Sequence, residues 1–249
     1  RRAPVTAFLL YYAGTLPFWL GFLYFWFDMS RDPLAESRAV EASLAMALLY
    51  IWMKGLQCLF ADCLRAVLTQ HVPSWPPLSR VPRFVITQLF LHGLSFVIVP
   101  IAAVITFPLG WALAYFQNVT VLGSGVSAEG VQAVHRRAVR MSALWPLQNH
   151  QLLGCLLLFA VVVALNLGVF IGMIPYVLRT MTGTETIYSM SGPALINSTF
   201  VLCTLALTYL CVDPVVKSVY LLRCFYGESM ETAEDLRVEL ASFTRTRLP

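Results

Sequence analysis

From Phe84 to Leu122 the chain runs for 39 residues without one Asp, Glu, Lys or Arg. As a single α-helix that stretch would measure about 58 Å, nearly twice the roughly 30 Å hydrocarbon thickness of a bilayer. Two passes are required. The natural turn is Thr106-Phe107-Pro108-Leu109-Gly110, which divides the run into spans at 84–105 and 108–122, the second short and aromatic.

The rest of the chain follows the same solvent logic. Hydrophobic residues make up 58% of the 249 and charged residues only 12%, where a soluble domain carries about 25% charged. Most of the surface therefore cannot face water. An aromatic content of 13% fits lipid contact and interfacial anchoring. Residues 5–27 form a first span with Pro17 inside it. They are too long and aromatic for a signal-peptide core, so the segment reads as a retained helix, and the opening Arg-Arg-Ala-Pro implies that the native start lies upstream. A charged loop from Asp28 to Arg38 leads to a second span at 39–64. A Pro-rich connector from His71 to Arg83 precedes the uncharged run. Later spans fall at 151–177 and 194–212.

Between them, Ser127 is placed to cap a helix over 128–145. There Val131, Val134, Ala138, Met141 and Trp145 recur at 3-4-3-4 spacing, with Arg136, Arg137 and Arg140 on other faces and Pro146 as the stop. That pattern predicts an amphipathic helix lying along the bilayer interface, its arginines against anionic lipid headgroups. Asp213-Pro214 reads as the start of a further short helix that Gly227 stops. In the tail, 227–249, Thr232 and Asp235 resemble a capping box before an apolar stripe of Ala233, Leu236, Leu240 and Phe243.

The fold class predicted is thus all-α: one polytopic transmembrane helical bundle of about six spans, with added interfacial amphipathic helices. With both termini on the cytoplasmic side, thirteen Lys and Arg residues lie inside, three outside, and Lys54 within the membrane. This bias obeys the positive-inside rule and orients the chain as a multi-pass protein of a cell (inner) membrane.

Ionisable groups in hydrocarbon cost several kcal/mol unless paired, so they are the first place to look for function. Lys54, midway along the second span, is the foremost candidate, as a substrate or ion contact or as the partner of Glu41, Asp62 or Asp213. Asp213 and Lys217, four apart, can bridge along one helix face. His92 is the remaining intramembrane candidate, able in principle to ligate a pigment or metal. Gln88, Gln117, Asn118, Asn166 and Asn197 read as hydrogen-bonding links between helices. Cys58 and Cys63, five apart, do not converge on one ion. Gly123-Ser-Gly125 follows a span rather than a strand, so it is a helix breaker and not a dinucleotide loop. No catalytic, metal or cofactor motif emerges, and nothing points to nucleic acid.

Three runs carry a resemblance: Tyr209-Leu-Cys-Val-Asp-Pro-Val-Val-Lys-Ser-Val-Tyr-Leu-Leu-Arg-Cys-Phe-Tyr-Gly-Glu with Glu234-Asp-Leu after it, Tyr50-Ile-Trp-Met-Lys, and Tyr115-Phe-Gln-Asn-Val-Thr. They resemble a group of bacterial polytopic membrane proteins. More loosely, the layout is similar to the membrane domain attached to some glycerophosphodiester phosphodiesterases. The resemblance implies fold and location and brings no catalytic residues. The expectation is a non-enzymatic membrane subunit or scaffold of an envelope-associated assembly, in contact with the bilayer, anionic lipids and other protein subunits. The alternative is a transporter or channel component with Lys54 in its pathway.

Overall fold

The computed structural model describes residues 3–69, 81–105, 110–123, 130–185, 187–190 and 197–246, and every described element is helical. The connector up to residue 80, the turn at 106–109, the Ser127 cap and the start of the predicted sixth span lie outside these residues.

Helix α1 (Ala3–Arg31) and α2 (Ala35–Leu68) form an antiparallel hairpin. The predicted 28–38 loop shrinks to Asp32–Leu34, because the Asp32 carboxylate accepts the Leu34 N–H at 2.8 Å and its carbonyl that of Ala35 at 3.1 Å. Small residues set the closeness of the pair: a Cβ on Gly14 would stand 2.7 Å from Leu56 Cβ, and one on Gly21 2.7 Å from Leu49 Cδ1. The predicted third span is realised as α3 (Val81–Gly93) and α4 (Ser95–Ile105). The break falls at a Gly-Leu-Ser step, where Ser95 Oγ takes the His92 carbonyl at 2.6 Å and displaces a backbone donor.

Five stretches are long and apolar enough to cross a membrane among the described residues: within α1, α2, Val85–Ala102, α7 (Pro146–Thr182) and α9 (Ser198–Thr232). Helix α5 (Gly110–Leu122), at the predicted fourth span, is shorter. Its thirteen residues reach about 20 Å, and ten of them are buried. It packs between α6 (Val131–Ala143) and α9, forming the core with Tyr115, Val119, Val134, Ala138, Met141 and Tyr220. The amphipathic stripe predicted for 128–145 therefore buries Val134, Ala138 and Met141 against protein. A turn at Ile187–Met190, α8, precedes α9, and α10 (Glu234–Thr246) follows it.

Contacts fix the directions. Tyr11 meets Asp213 and Trp19 meets Tyr209, so α1 and α9 run opposite ways. Gln57 meets Asp213 and Arg65 meets Glu228, so α2 and α9 run together. Asn149 meets Tyr220, and Gly168 faces Thr204, so α7 opposes α9. The starts of α1 and α7 and the ends of α2 and α9 share one end of the bundle.

Several punctuation marks are used differently from their sequence reading. Asp213-Pro214 does not start a helix; α9 runs straight through it. Proline removes the N–H that would bond the carbonyl four residues back, and the freed Leu210 carbonyl is taken by Tyr12 Oη at 3.4 Å. Pro17 in α1 frees Ala13 in the same way, and the Trp52 indole N–H donates to it at 3.2 Å. Gly227 does not stop α9 either. A Cβ there would stand 2.9 Å from both Leu144 Cδ2 and Met141 Sδ, so the glycine serves close packing of α6. The helix ends instead at Ala233, which adopts a left-handed φ of 51°. Thr232 bonds back to the Glu228 carbonyl at 3.0 Å rather than capping, and Ser229 Oγ accepts the Asp235 N–H at 3.2 Å. Pro146 opens α7 at its first turn instead of closing α6.

Trp52→Phe should lower stability by about 1 kcal/mol through the orphaned Ala13 carbonyl. Adding Pro17→Ala, which restores the intrahelical donor, should recover it. Thermal unfolding of the four proteins in one detergent checks this, and a double variant no better than Trp52→Phe refutes it.

Candidate functional site

Halfway along the bundle, polar side chains from four helices meet around one carboxylate. Asp213 of α9 is 6% exposed. Its Oδ2 accepts from Tyr11 Oη at 2.9 Å and from Gln57 Nε2 at 3.1 Å, and its Oδ1 lies 3.6 Å from the Lys217 ammonium. Gln57 also donates to Tyr209 Oη at 3.2 Å and accepts from Lys54 Nζ at 3.3 Å. Lys217, 1% exposed, donates to Gln117 Oε1 of α5 at 2.5 Å. The helical period explains the convergence. Tyr209, Asp213 and Lys217 recur every four residues on one face of α9, as do Lys54 and Gln57 on α2 at a spacing of three.

The structure thus joins three of the predicted intramembrane residues, Lys54, Asp213 and Lys217, through Gln57. The i, i+4 bridge is present. His92, the fourth, sits apart, 2% exposed, with Nε2 3.2 Å from Thr120 Oγ1. Among the described residues no three His, Cys, Asp or Glu side chains are grouped to hold a metal ion. Tyr11, Tyr209 and Gln57 were not singled out from sequence. An isolated Tyr in an apolar span is read as an aromatic, and its hydroxyl acquires a role only beside another helix's carboxylate. Of the neutral links, Gln88 donates to the Gly123 carbonyl at 3.0 Å and Asn118 to that of Ala138 at 3.4 Å. Asn197 Oδ1 caps α9 through the Phe200 N–H at 2.8 Å. Asn166 differs from expectation, donating to Val162 in its own helix at 2.7 Å.

A second polar group closes the end of the bundle. Glu228 accepts from Arg65 at 2.5 Å and from Arg137, and Arg140 grips both oxygens of Glu231 at 2.9 Å. Arg223 donates to the Leu144 carbonyl and, at 3.0 Å, to Asn149 Oδ1, while Asn149 Nδ2 donates to Gly110 at 2.7 Å. Of the three arginines expected against headgroups, Arg137 and Arg140 thus hold α6 to α9, and Arg136 is exposed. This cluster is a clamp. Both of its carboxylates are engaged by guanidinium groups.

Beside the central network, between α1, α2 and α3, lies a cavity of about 430 Å³. Ser43, Ala47, Tyr50 and Lys54 line it along α2, Phe18, Phe22 and Phe25 along α1, and Gln88 and Phe96 from the far side. Lys54 also sits 5.5 Å from the centre of the Tyr50 ring.

An all-α bundle with long apolar helices and buried, cross-paired charges is a helical membrane protein. Compared with protein-family models, curated proteins and solved structures, the chain matches none.

The network predicts an asymmetry between breaking and removing it. Asp213→Ala, which leaves the Lys217 ammonium buried without its carboxylate, should destabilise the fold by on the order of 3–5 kcal/mol. Asp213→Ala with Lys217→Met should recover much of that loss, because neither charge of the bridge remains and Lys54, which meets Asp213 only through Gln57, keeps its Gln57 contact. Melting temperatures in detergent test it; a double variant as unstable as the single would contradict the pairing.

Proposed function

We propose that the chain is a non-enzymatic integral membrane subunit that works inside a larger assembly, in a bacterial inner membrane with both termini cytoplasmic. One observation carries the reading. Helix α7 is the most apolar span, with a mean hydropathy of 2.7 over its richest stretch, yet of its thirty-seven residues only Asn149 is buried. Its small residues Ala160, Ala164, Gly168 and Gly172 recur every four positions on the partly buried side, where Gly168 faces Thr204 of α9. Asn166 lies two residues from both Ala164 and Gly168, and so on the opposite side of the helix.

An amide facing hydrocarbon near the middle of a span is unfavourable, and a neighbouring transmembrane helix is its usual partner. Because an Asn amide is both donor and acceptor, it is self-complementary across a two-fold axis. A second copy of this chain, α7 against α7, is the occupant that satisfies it. The clamp arginines add support, since they are engaged in holding the fold rather than poised for reaction. The exposed Arg136 suits an anionic lipid surface. The layout similar to membrane domains without assigned chemistry is in keeping with a structural role. The rival reading, a transporter or channel component with Lys54 in its pathway, is favoured by one observation: Lys54 lines a cavity.

The test is self-association in bilayers, read by energy transfer between labelled copies. The native chain should associate, and Asn166→Leu should weaken that equilibrium by about 1 kcal/mol, roughly fivefold. A native chain that stays monomeric in bilayers and emerges partnerless from mild detergent overturns the proposal.

A further inference from the structure

The two lysines of the central network differ in how far their needs are met. Lys217 is enclosed, with Asp213 at 3.6 Å and Gln117 at 2.5 Å. Lys54 has three N–H donors, of which Gln57 takes one at 3.3 Å, and its ammonium borders the cavity. Asp213 bridges Lys217, and Lys54 reaches that carboxylate only through Gln57, so the positive charge left uncompensated falls on Lys54, at the cavity side. A cation in hydrocarbon draws an anion.

Gln88 is a second polar side chain of the cavity wall. It is 1% exposed and lines the same cavity. Its orientation follows from its bonding: Nε2 donates to the Gly123 carbonyl at 3.0 Å, and a Cβ on Gly123 would stand 2.3 Å from that nitrogen. The amide is thus turned so that Oε1 is the remaining atom, and Oε1 has no hydrogen-bond partner. That oxygen is itself enclosed and shows no surface to the cavity, so the need left open on the cavity side is that of Lys54, and the missing group must offer it an anionic oxygen.

The rest of the cavity is a slot for a chain. From Ser43 to Lys54 it follows one face of α2 for about 16 Å by helix rise, and phenylalanines of α1 form the facing wall. Ala47, Leu89 and Phe96, which are exposed, border it, so it opens sideways toward the lipid rather than toward water. Its volume lies within the roughly 300–1,000 Å³ of small-molecule sites.

We propose that this cavity binds a single-chain anionic amphiphile of phospholipid type, its acidic oxygen on Lys54 and its alkyl chain along α1 and α2. No residue of the cavity belongs to α7, so the site and the self-association proposed above can fail independently.

The full chain in phosphatidylcholine nanodiscs, doped equally with oleoyl lysophosphatidic acid and mono-oleoylglycerol, tests this by native mass spectrometry of the retained lipid. The two probes share a chain and differ in the charged head. Lysophosphatidic acid should be retained in preference to the neutral lipid by about tenfold, which is 1.4 kcal/mol. Lys54→Gln should abolish the preference and Lys54→Arg should keep it. Ala47→Trp, which fills the slot while leaving the lysine in place, should abolish retention, and it decides the matter if Lys54→Gln fails to fold. Glycerol phosphate, the head without a chain, should not bind. Equal retention of the two lipids, undiminished retention in Ala47→Trp, or glycerol phosphate binding as well as the lipid would each overturn the proposal.

Discussion

In hydrocarbon a backbone carbonyl that loses its helical partner has no water to turn to, so another part of the protein must supply the donor. Three of the long helices, α1, α7 and α9, carry a proline inside, and in two of them a side chain of another helix supplies the donor. Pro17 frees the Ala13 carbonyl and Pro214 frees that of Leu210. The replacement donors, the Trp52 indole and the Tyr12 hydroxyl, come from the neighbouring helix in each case. The first ties α2 to α1 and the second α1 to α9. Prolines that would break helices in water thus become points of helix association.

Charge obeys the same accounting at two levels of the bundle. In the middle, Asp213 is surrounded by donors from α1, α2 and its own helix, and Lys217 carries the link on to α5. At the end, Glu228 takes two guanidinium groups and Glu231 a third, joining α2, α6 and α9. The end cluster is closed, both of its carboxylates held by guanidinium groups. The middle one is not, since Lys54 reaches Asp213 only through Gln57 and otherwise borders open space. That contrast separates a structural clamp from a site able to take a ligand.

Much of this was legible in the sequence, and the failures share a cause. The uncharged run, the apolar stretches and the 3-4-3-4 stripe of α6 report which solvent each segment tolerates. Lys54, Asp213 and Lys217 stood out because charge in an apolar segment is conspicuous. Tyr11, Tyr209 and Gln57 did not, because hydroxyl and amide groups are common in spans and become a network only when a carboxylate arrives from another helix. Pro146, Pro214 and Gly227 were read by local rules as stops and starts. Two are overruled by a contact with a distant element, Gly227 by α6 and Pro214 by Tyr12, while Pro146 follows another local rule and opens α7. Arg137 and Arg140 looked free for lipid because their partners, Glu228 and Glu231, lie 91 residues away.

The sequence by itself determined the solvent, and with it the helical class and the positions of the few charges that must be paired. Those follow from hydropathy and period, which are local properties. Only the tertiary structure decided that α5 is a buried core helix, that Asp213 gathers donors from three helices, that Asn166 faces outward, and that Lys54 and Gln88 border one cavity. Each of these depends on which helix packs beside which and at what rotation, and a chain of similar apolar residues does not encode that in any single segment.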